Sequence, residues 1–339
     1  MKYAIQKVTA RQDLTTAEAG EAMTTIMDGS ATSAQIAALA VALRMKGETA
    51  EEIAGFAKVM RDYSIHVPVS TNKVLVDTCG TGGDSLKTFN ISTTAALIVA
   101  ADGRVAVAKH GNRAATSKCG SADVLEALGV KLDLPPAAIG ECIDSVGIGF
   151  LYAVAMHPAL RYASAPRKEI GIRTFFNILG PLTNPAGAKV QLIGVFDAAL
   201  CPMLAAVLKM LGSERVMMVH GDNGLDEIST LGTTSISELA DGKVHSYVLD
   251  AHKDLGIPVP DLTSLAAGET PAENAEILRG IIEGHDAGPR RDIACLNAAG
   301  VLLAAGVVSD LRTGLQRAIE LVQSGAASDT LSRLKEFSA

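Results

Sequence analysis

The feature that most constrains the fold is a regular alternation that begins at Lys73. From there on, short β-branched runs are each followed by an Ala-rich stretch with helical spacing. This order predicts βαβ units and a largely parallel sheet flanked by helices. The strand and helix ranges alternate as 74–76, 91–101, 104–108, 121–128, 149–152, 158–169, 190–195, 198–211 and 215–220.

The first 65 residues have a different texture and contain only helical patterns. Thr15-x-x-Glu18, Thr32-x-x-Gln35 and Thr49-x-x-Glu52 are capping boxes, which mark the starts of helices. We therefore predict an α/β fold class with a small helical N-terminal domain. The helical domain is predicted to comprise residues 1–70, with a contribution from about 166–185. The large α/β domain is predicted to comprise residues 71–339, with a mostly parallel central sheet flanked by helices.

The rest of the α/β domain carries weaker local signals. Residues 234–239 and 243–249 are typical of a β-hairpin around Asp241-Gly242. The C-terminal part is predicted to be helical over 271–284, 290–305, 309–324 and 327–337.

Charge and cysteine content limit the function classes. A net charge of −7 argues against a general nucleic-acid binder, although local Lys and Arg can still bind anionic substrates. The five cysteines are odd in number and widely spaced, which indicates reduced thiols in a cytoplasmic protein. No signal peptide is expected, because residues 1–7 lack an apolar core. No membrane span is expected, because a polar residue and glycines interrupt the longest apolar run, 293–308.

A glycine cluster follows the first predicted strand. Its sequence is Gly80-Thr81-Gly82-Gly83-Asp84, and a hydroxyl-rich helix start follows at once. Exposed backbone N–H groups beside a helix N-terminus bind phosphate oxygens. The loop is neither a Walker A motif nor a dinucleotide fingerprint. A flexible turn is the alternative, but the hydroxyls that follow favour phosphate.

Three further segments carry candidate chemistry. Lys109-His110-Gly111-Asn112-Arg113 follows the second strand, so Lys109 and Arg113 are expected to face the glycine loop. A solvated basic loop is the alternative, and for His110 a packing role is favoured over that of a base. Asp226-Glu227, after the run 215–220, suits Mg²⁺, although a surface acidic turn has the same composition.

Arg167 leaves two interpretations open. Its guanidinium could bind a substrate carboxylate in bidentate fashion. Alternatively, it could pair with Glu169 or Asp144 on the surface. The periodicity of the sequence does not decide between them.

Taken together, these strings resemble the anthranilate phosphoribosyltransferase family, and the resemblance covers essentially the whole chain. It rests on Asp77-x-x-Gly80-Thr81-Gly82-Gly83-Asp84, Thr88-Phe89-Asn90-Ile91-Ser92-Thr93, Lys109-His110-Gly111-Asn112-Arg113, Gly120-Ser121-Ala122-Asp123, His157-Pro158-Ala159, Arg167, Gly171-Ile172-Arg173-Thr174-Phe175-Phe176-Asn177, Gly180-Pro181-Leu182, Asn184-Pro185 and Asp226-Glu227.

The resemblance implies a fold shared with pyrimidine nucleoside phosphorylases and usually a homodimer. It implies Mg²⁺-dependent transfer of the 5-phosphoribosyl group of phosphoribosyl pyrophosphate to the amine of anthranilate in L-tryptophan biosynthesis. No nucleic-acid or membrane partner is implied. A pyrimidine nucleoside phosphorylase and a non-catalytic nucleic-acid-binding relative of the same fold remain as alternatives.

The resemblance also implies roles for individual residues. Lys109 and Arg167 are the expected catalytic residues. Ser92, Asp226 and Glu227 are the expected Mg²⁺ ligands. The expected anthranilate contacts are Gly80, His110, Asn112, His157, Arg167, Gly180 and Pro181. The expected phosphoribosyl pyrophosphate contacts are Gly80, Gly83, Asp84, Thr88, Asn90, Ile91, Ser92, Thr93, Lys109, His110, Gly111, Asn112, Arg113, Ala114, Ala115, Thr116, Ser117 and Ser121.

Overall fold

The computed structural model describes residues 1–83, 86–114 and 118–339. Four helices open the chain: α1 (Lys2–Thr9), α2 (Thr16–Met27), α3 (Ser33–Lys46) and α4 (Ala50–Asp62). All three predicted capping boxes form, because Thr15, Thr32 and Thr49 each accept the N–H three residues further on. The starts of these helices are thus determined by local sequence.

The described residues then form a seven-stranded sheet in the order β3-β2-β1-β4-β5-β6-β7. The first five strands are parallel, and β6 and β7 add an antiparallel hairpin at one edge, as the alternation and Asp241-Gly242 predict. The strands are β1 (Val74–Gly80), β2 (Val105–Gly111), β3 (Ile148–Tyr152), β4 (Val190–Gly194), β5 (Arg215–Gly221), β6 (Thr233–Ala240) and β7 (Lys243–Asp250).

Helices connect and cover the strands. They are α5 (Ile91–Ala100), α6 (Ser121–Ala127), α7 (Pro136–Val146), α8 (Ala153–Met156), α9 (Arg161–Ile170), α10 (Phe176–Leu179), α11 (Cys201–Met210), α12 (Ala251–Leu255), α13 (Pro271–Ile282), α14 (Pro289–Ala304), α15 (Leu311–Gln323) and α16 (Ala326–Ser338). The sequence patterns did not predict α7, α8 or α12. The helices predicted over 158–169 and 198–211 each begin with a short 3-10 turn, Pro158–Leu160 and Ala198–Leu200. Among the described residues, no helix is both long and apolar enough to cross a membrane.

The sheet is buried on both faces. One face packs against α5 and the C-terminal helices α13 to α16 in a single apolar cluster. The other face packs against α11, and this cluster continues into the helices α1 to α4. Burial on both faces explains why β2 and β4 are buried along their length, with no alternation between buried and exposed residues.

The segment around α9 and α10 returns to the N-terminal helices. Ala163 of α9 and Phe176 of α10 belong to the same buried cluster as α1 to α4, and Phe175 stacks on Phe56 of α4 with ring centroids 4.5 Å apart. That cluster also includes Ile193 of β4, so the packing is continuous between the helical region and the sheet. The domain boundary at residue 70 stays a prediction.

The strand order places a crevice between β1 and β4. The chain runs from β1 outward to β2 and β3 on one side, and from β4 outward on the other. At such a switch point, the loops that leave the two central strands diverge and open a crevice at the carboxyl edge of the sheet. Gly80 of β1 and Gly194 of β4 are register partners at this edge.

Candidate active site

The glycine loop crosses the end of β4 and is held by backbone contacts. The Thr81 N–H donates to the Gly194 carbonyl at 2.8 Å, and the Phe196 N–H donates to the Thr81 hydroxyl at 3.1 Å. Gly82 and Gly83 follow with φ of +68° and +85°, which favour glycine. The loop therefore turns away from the sheet edge immediately after the switch point.

Asp226, in the loop after β5, contacts the glycine loop directly. Its Oδ2 accepts the Gly82 N–H at 3.1 Å. A Cβ added to Gly80 would lie 2.8 Å from this oxygen, and one added to Gly194 would overlap the Asp226 carbonyl. Only glycine at both strand ends allows this approach, so two segments 144 residues apart share one crevice.

Lys109, near the end of β2, is almost fully buried. Its Nζ donates to the Thr78 carbonyl at 2.6 Å and lies 3.4 Å from the Ser92 hydroxyl at the start of α5. Burial lowers the pKa of Lys109, while the nearby charges of Asp77 and Glu227 oppose that shift. The cation is thus fixed between β1 and α5 and stabilises the carboxylates around it.

Sequence reasoning missed the role of Asp77. This fully buried carboxylate accepts the His110 N–H at 3.1 Å and the Asn184 side-chain N–H at 2.8 Å. Asn184 also donates to the Ala108 carbonyl at 2.8 Å. Burial raises the pKa of Asp77, whereas the Lys109 charge and these hydrogen bonds oppose the shift. Asp77 therefore ties the start of the Lys109–Arg113 segment to the chain that leads into β4.

His110 and His157 form a buried pair of rings with centroids 5.1 Å apart. Burial lowers the pKa of His110 to about 3 and that of His157 to about 4, so both rings are neutral at neutral pH. The backbone of Gly180 lies close enough to His110 to oppose its shift. Among the described residues, Nε2 of His110 and both ring nitrogens of His157 lack a hydrogen-bond partner.

Pro181 lies beside β4, because its carbonyl accepts a hydrogen bond of 3.0 Å from the buried Gln191 side chain. Gly180 precedes it in the turn Gly180–Leu182. Three of the expected anthranilate contacts, Gly180, His110 and His157, thus lie close together, and Pro181 follows Gly180.

Arg167, near the end of α9, is half-buried, and its guanidinium carbon lies 5.3 Å from the Phe176 ring centroid. Burial lowers the pKa of this guanidinium. Within the described part of the chain, neither Glu169 nor Asp144 forms an ion pair with it, and Asp144 instead accepts backbone N–H groups of residues 70 and 71. The surface ion pair considered in the sequence analysis is absent there.

The structure corrects the expectation for Arg113. Its guanidinium donates to Asp123 at 3.0 Å and to both oxygens of Glu126 at 2.7 and 3.0 Å, and these partners raise its pKa. The side chain is therefore held against α6 and does not face the glycine loop. The cause is the pair of carboxylates on the first turns of α6, which accept a forked donor well.

The segment after Arg113 folds onto the start of α6. The Asn112 N–H donates to the Ser121 hydroxyl at 3.1 Å, which donates in turn to the Asn112 carbonyl at 3.2 Å. The Ala114 N–H donates to Asp123 at 2.9 Å. Gly111 packs closely against Ser121 and Phe150, which leaves no room for a side chain.

The hydroxyl-rich segment extends into the first turn of α5, where several side chains are buried. Ile91 and Thr93 have core-facing side chains, so they can offer a ligand only their backbone. The Asn90 amide donates to the Cys119 carbonyl at 3.1 Å, and its buried Oδ1 lacks a partner among the described residues. Thr88 pairs with Ala266 in an isolated β-bridge. The expected contacts Asp84, Ala115, Thr116 and Ser117 lie outside the described residues.

The expected Mg²⁺ ligands carry the donor type that suits a hard cation. Ser92, Asp226 and Glu227 each offer only oxygen atoms, and Glu227 is close enough to Lys109 and Cys79 to influence the pKa of each. The described residues contain no cluster of three or more His, Cys, Asp and Glu side chains at metal-binding distance. An ion held here would therefore need further oxygens from a ligand, which is how Mg²⁺ binds with phosphates.

Comparison with known proteins agrees with this geometry. Residues 2–64 match the family described as "Glycosyl transferase family, helical bundle domain", and residues 72–328 match the one described as "Glycosyl transferase family, a/b domain". The N-terminal helices and the mostly parallel sheet of this chain correspond to these two models, so the chain belongs to this class of glycosyl transferases.

Individual relatives identify the family within this class. The chain is 53% identical over 334 residues to the anthranilate phosphoribosyltransferase of Moorella thermoacetica, covering 98% of this chain and 97% of the relative. It is 52% identical over 337 residues to that of Symbiobacterium thermophilum, covering 99% and 97%. The chain therefore belongs to the anthranilate phosphoribosyltransferase family.

Two solved structures extend the comparison to three dimensions. The Thermus thermophilus enzyme superimposes with a TM-score of 0.92 at 42% identity and 98% coverage of both chains. The Saccharomyces cerevisiae enzyme, solved with phosphoribosyl pyrophosphate and Mg, gives a TM-score of 0.89 at 27% identity, covering 99% of this chain and 97% of that one.

Proposed function

We propose that this protein transfers the 5-phosphoribosyl group of phosphoribosyl pyrophosphate to the amine of anthranilate and releases pyrophosphate, as a step of L-tryptophan biosynthesis. The observation that carries the proposal is the convergence of Gly82, Asp226 and the buried Lys109 on the β1–β4 switch point. This convergence occurs in a chain that is about half identical, over nearly its full length, to enzymes of that name.

The glycine loop, the start of α5 and Lys109 are the proposed donor site. Displacement at the anomeric carbon breaks its bond to the pyrophosphate oxygen and forms a bond to the amine nitrogen. Positive charge develops on the sugar and negative charge on the departing pyrophosphate, as in glycosyl transfer generally. Backbone N–H groups and the Lys109 cation stabilise that negative charge, and fixed donors of this kind contribute most when they are preorganised.

Ser92, Asp226 and Glu227 are the proposed Mg²⁺ ligands. Bound together with the donor phosphates, the ion would supply positive charge to the leaving group. The Saccharomyces cerevisiae relative was solved with Mg and phosphoribosyl pyrophosphate, which supports use of this ion in the family. The Asp226 side chain is oriented by the Gly82 N–H, so the loop and the ligand set depend on each other.

Arg167 is the proposed partner of the anthranilate carboxylate. Its guanidinium is half-buried beside Phe176, and a planar carboxylate matches its fork of donors. Neutral His110 and His157, with Gly180 and Pro181, offer an uncharged path for the aromatic ring. Gly80 and Asn112 complete the proposed anthranilate contacts.

The acceptor needs no base before it attacks. An aromatic amine is neutral at neutral pH, and its lone pair is available. Burial keeps both histidines neutral, so neither adds charge near the developing positive sugar. We therefore assign rate acceleration to positioning and electrostatics, with no covalent intermediate.

The proposed donor contacts need one revision. Arg113 remains a proposed phosphoribosyl pyrophosphate contact only through its backbone, because its side chain pairs with Asp123 and Glu126. Lys109 and Ser121 remain proposed contacts through their side chains. The homodimer and the cytoplasmic location stay predictions.

Loss of anthranilate fluorescence on mixing with phosphoribosyl pyrophosphate and Mg²⁺ tests the proposal. We expect turnover only when all three are present, with pyrophosphate formed in equal amount. Turnover of thymidine or uridine with inorganic phosphate, in place of anthranilate, would instead identify a pyrimidine nucleoside phosphorylase. A shift of single-stranded DNA at physiological salt without turnover would identify a binding protein.

A further inference from the structure

A second arginine lies at the glycine loop, and the site described above does not use it. Arg173 follows α9 by three residues, and its Nη2 donates to the Gly83 carbonyl at 2.6 Å. The guanidinium carbon lies 4.4 Å from the Phe196 ring centroid, a close cation–π distance. The side chain is exposed, and the pairing spans 90 residues of sequence.

Phe196 belongs to the same contact network. Its backbone N–H donates to the Thr81 hydroxyl at 3.1 Å, two residues before Gly83. The ring that supports Arg173 is therefore anchored to the loop that Arg173 holds. A Cβ added to Gly83 would lie 2.5 Å from Nη2, so the loop backbone and the guanidinium are in close contact.

The two glycines in this part of the loop have no side chains with which to hold it. Gly82 and Gly83 both have positive φ, and glycine loses more conformational freedom on ordering than any other residue. If a loop becomes ordered only when the substrate binds, the free energy needed to order it weakens the affinity for that substrate. Contacts from outside the loop that fix it beforehand remove part of the cost.

We propose that Arg173, supported by Phe196, is a positioning residue that holds the glycine loop in its donor-binding conformation through the Gly83 carbonyl. The inference rests on the proposed function, because it assigns the loop to the phosphoribosyl donor. Arg173 acts through the loop, so its removal affects donor affinity more than acceptor affinity. It is six residues from Arg167, so the end of α9 and the residues after it carry one cation for each proposed substrate site.

Three variants separate positioning from simple attraction of a phosphate. Arg173→Met removes the donors and the charge, Arg173→Lys keeps the charge without the planar fork, and Phe196→Leu removes the supporting ring while Arg173 stays. Arg161→Met is the matched control, because this exposed arginine also stacks on a ring, Tyr162, at 4.6 Å but does not touch the loop.

The readouts are steady-state kinetics with each substrate varied in turn and amide hydrogen exchange of the ligand-free protein. For Arg173→Met we expect the KM for phosphoribosyl pyrophosphate to rise about tenfold and that for anthranilate less than twofold. Phe196→Leu and Arg173→Lys should each raise the donor KM several-fold. Peptides that contain residues 80–83 should exchange faster in all three variants, and Arg161→Met should match the wild type.

Two results would overturn the inference. One is a donor KM within twofold of the wild type in Arg173→Met. The other is full retention of donor KM and slow exchange in both Phe196→Leu and Arg173→Lys, which would reduce Arg173 to a point charge for the phosphate. A wild type that consumes no anthranilate would contradict the proposed function instead, and the exchange experiment would still decide whether the loop is held by Arg173.

Discussion

Replacing Arg167 with alanine is the sharpest test of how the acceptor is recognised. The guanidinium is half-buried, has the Phe176 ring 5.3 Å away, and forms no ion pair within the described part of the chain. Removing one partner of a buried, hydrogen-bonded charge pair costs about 2–5 kcal/mol. Because Arg167 keeps some solvent exposure, we take the lower part of that range, about 2–3 kcal/mol.

This free energy converts directly into a kinetic effect. Each factor of ten corresponds to about 1.4 kcal/mol, so kcat/KM for anthranilate should fall about 30- to 150-fold in Arg167→Ala. Arg167→Lys keeps the charge but loses the bidentate fork and should fall by about tenfold. The KM for phosphoribosyl pyrophosphate should change less than twofold in both variants.

The assay is the initial rate of anthranilate fluorescence loss with each substrate varied separately. Lys168→Ala serves as control, because it removes an exposed cation next to Arg167 on the same helix. Aniline-type competitors, which lack the carboxylate, should bind wild type and Arg167→Ala equally. An equal loss of kcat/KM for both substrates in Arg167→Ala would refute the assignment to carboxylate recognition.

Four further results are expected. Asp226→Asn combined with Glu227→Gln should shift the Mg²⁺ titration of activity at least about tenfold to higher concentration, and an unchanged titration would remove them as ligands. Lys109→Met should lower kcat about 10²-fold or more, the usual effect of losing one preorganised electrostatic donor, whereas a near-normal rate in a folded variant would make it structural. Asn184→Ala leaves a buried carboxylate oxygen and a backbone carbonyl without donors, so urea denaturation should show a loss of about 2–4 kcal/mol, and a loss below about 1 kcal/mol would contradict that hydrogen-bond network. Because the two buried histidines have lowered pKa values, only the unfolded chain binds their protons between about pH 6.5 and 4; stability should fall as the pH drops through this window, by up to about 1.4 kcal/mol per pH unit for each ring, and His157→Phe should flatten the slope.

Local signals predicted much of the secondary structure. The capping boxes at Thr15, Thr32 and Thr49 place three helix starts correctly, since each involves residues only three apart. The hairpin turn at Asp241-Gly242 has positive φ at both residues, which the dipeptide itself favours. The helix α7 was missed although its buried residues Ile139, Cys142, Ile143 and Val146 have helical spacing, so the sequence did carry a signal for it.

Side-chain partners were predicted less well than segment positions. The order of strands and loops indicated that the glycine loop, the lysine segment and the acidic pair meet at one sheet edge, and Gly82 does contact Asp226. The sequence did not indicate that Arg113 turns toward α6, because its partners Asp123 and Glu126 become neighbours only after α6 forms. Nor did it indicate the Arg173–Gly83 contact.

What the sequence alone determined is most of the helices and strands and the motifs at their ends, because caps, turn dipeptides and apolar periodicity act over a few residues. The tertiary structure decided which partners the polar side chains of those motifs have and how burial shifts their pKa values. Asn184 reaches Asp77 across 107 residues, and Lys109 is enclosed beside Thr78 and Ser92. Burial and partnership of a polar group depend on the elements that pack around it, and packing brings together residues that no local pattern connects.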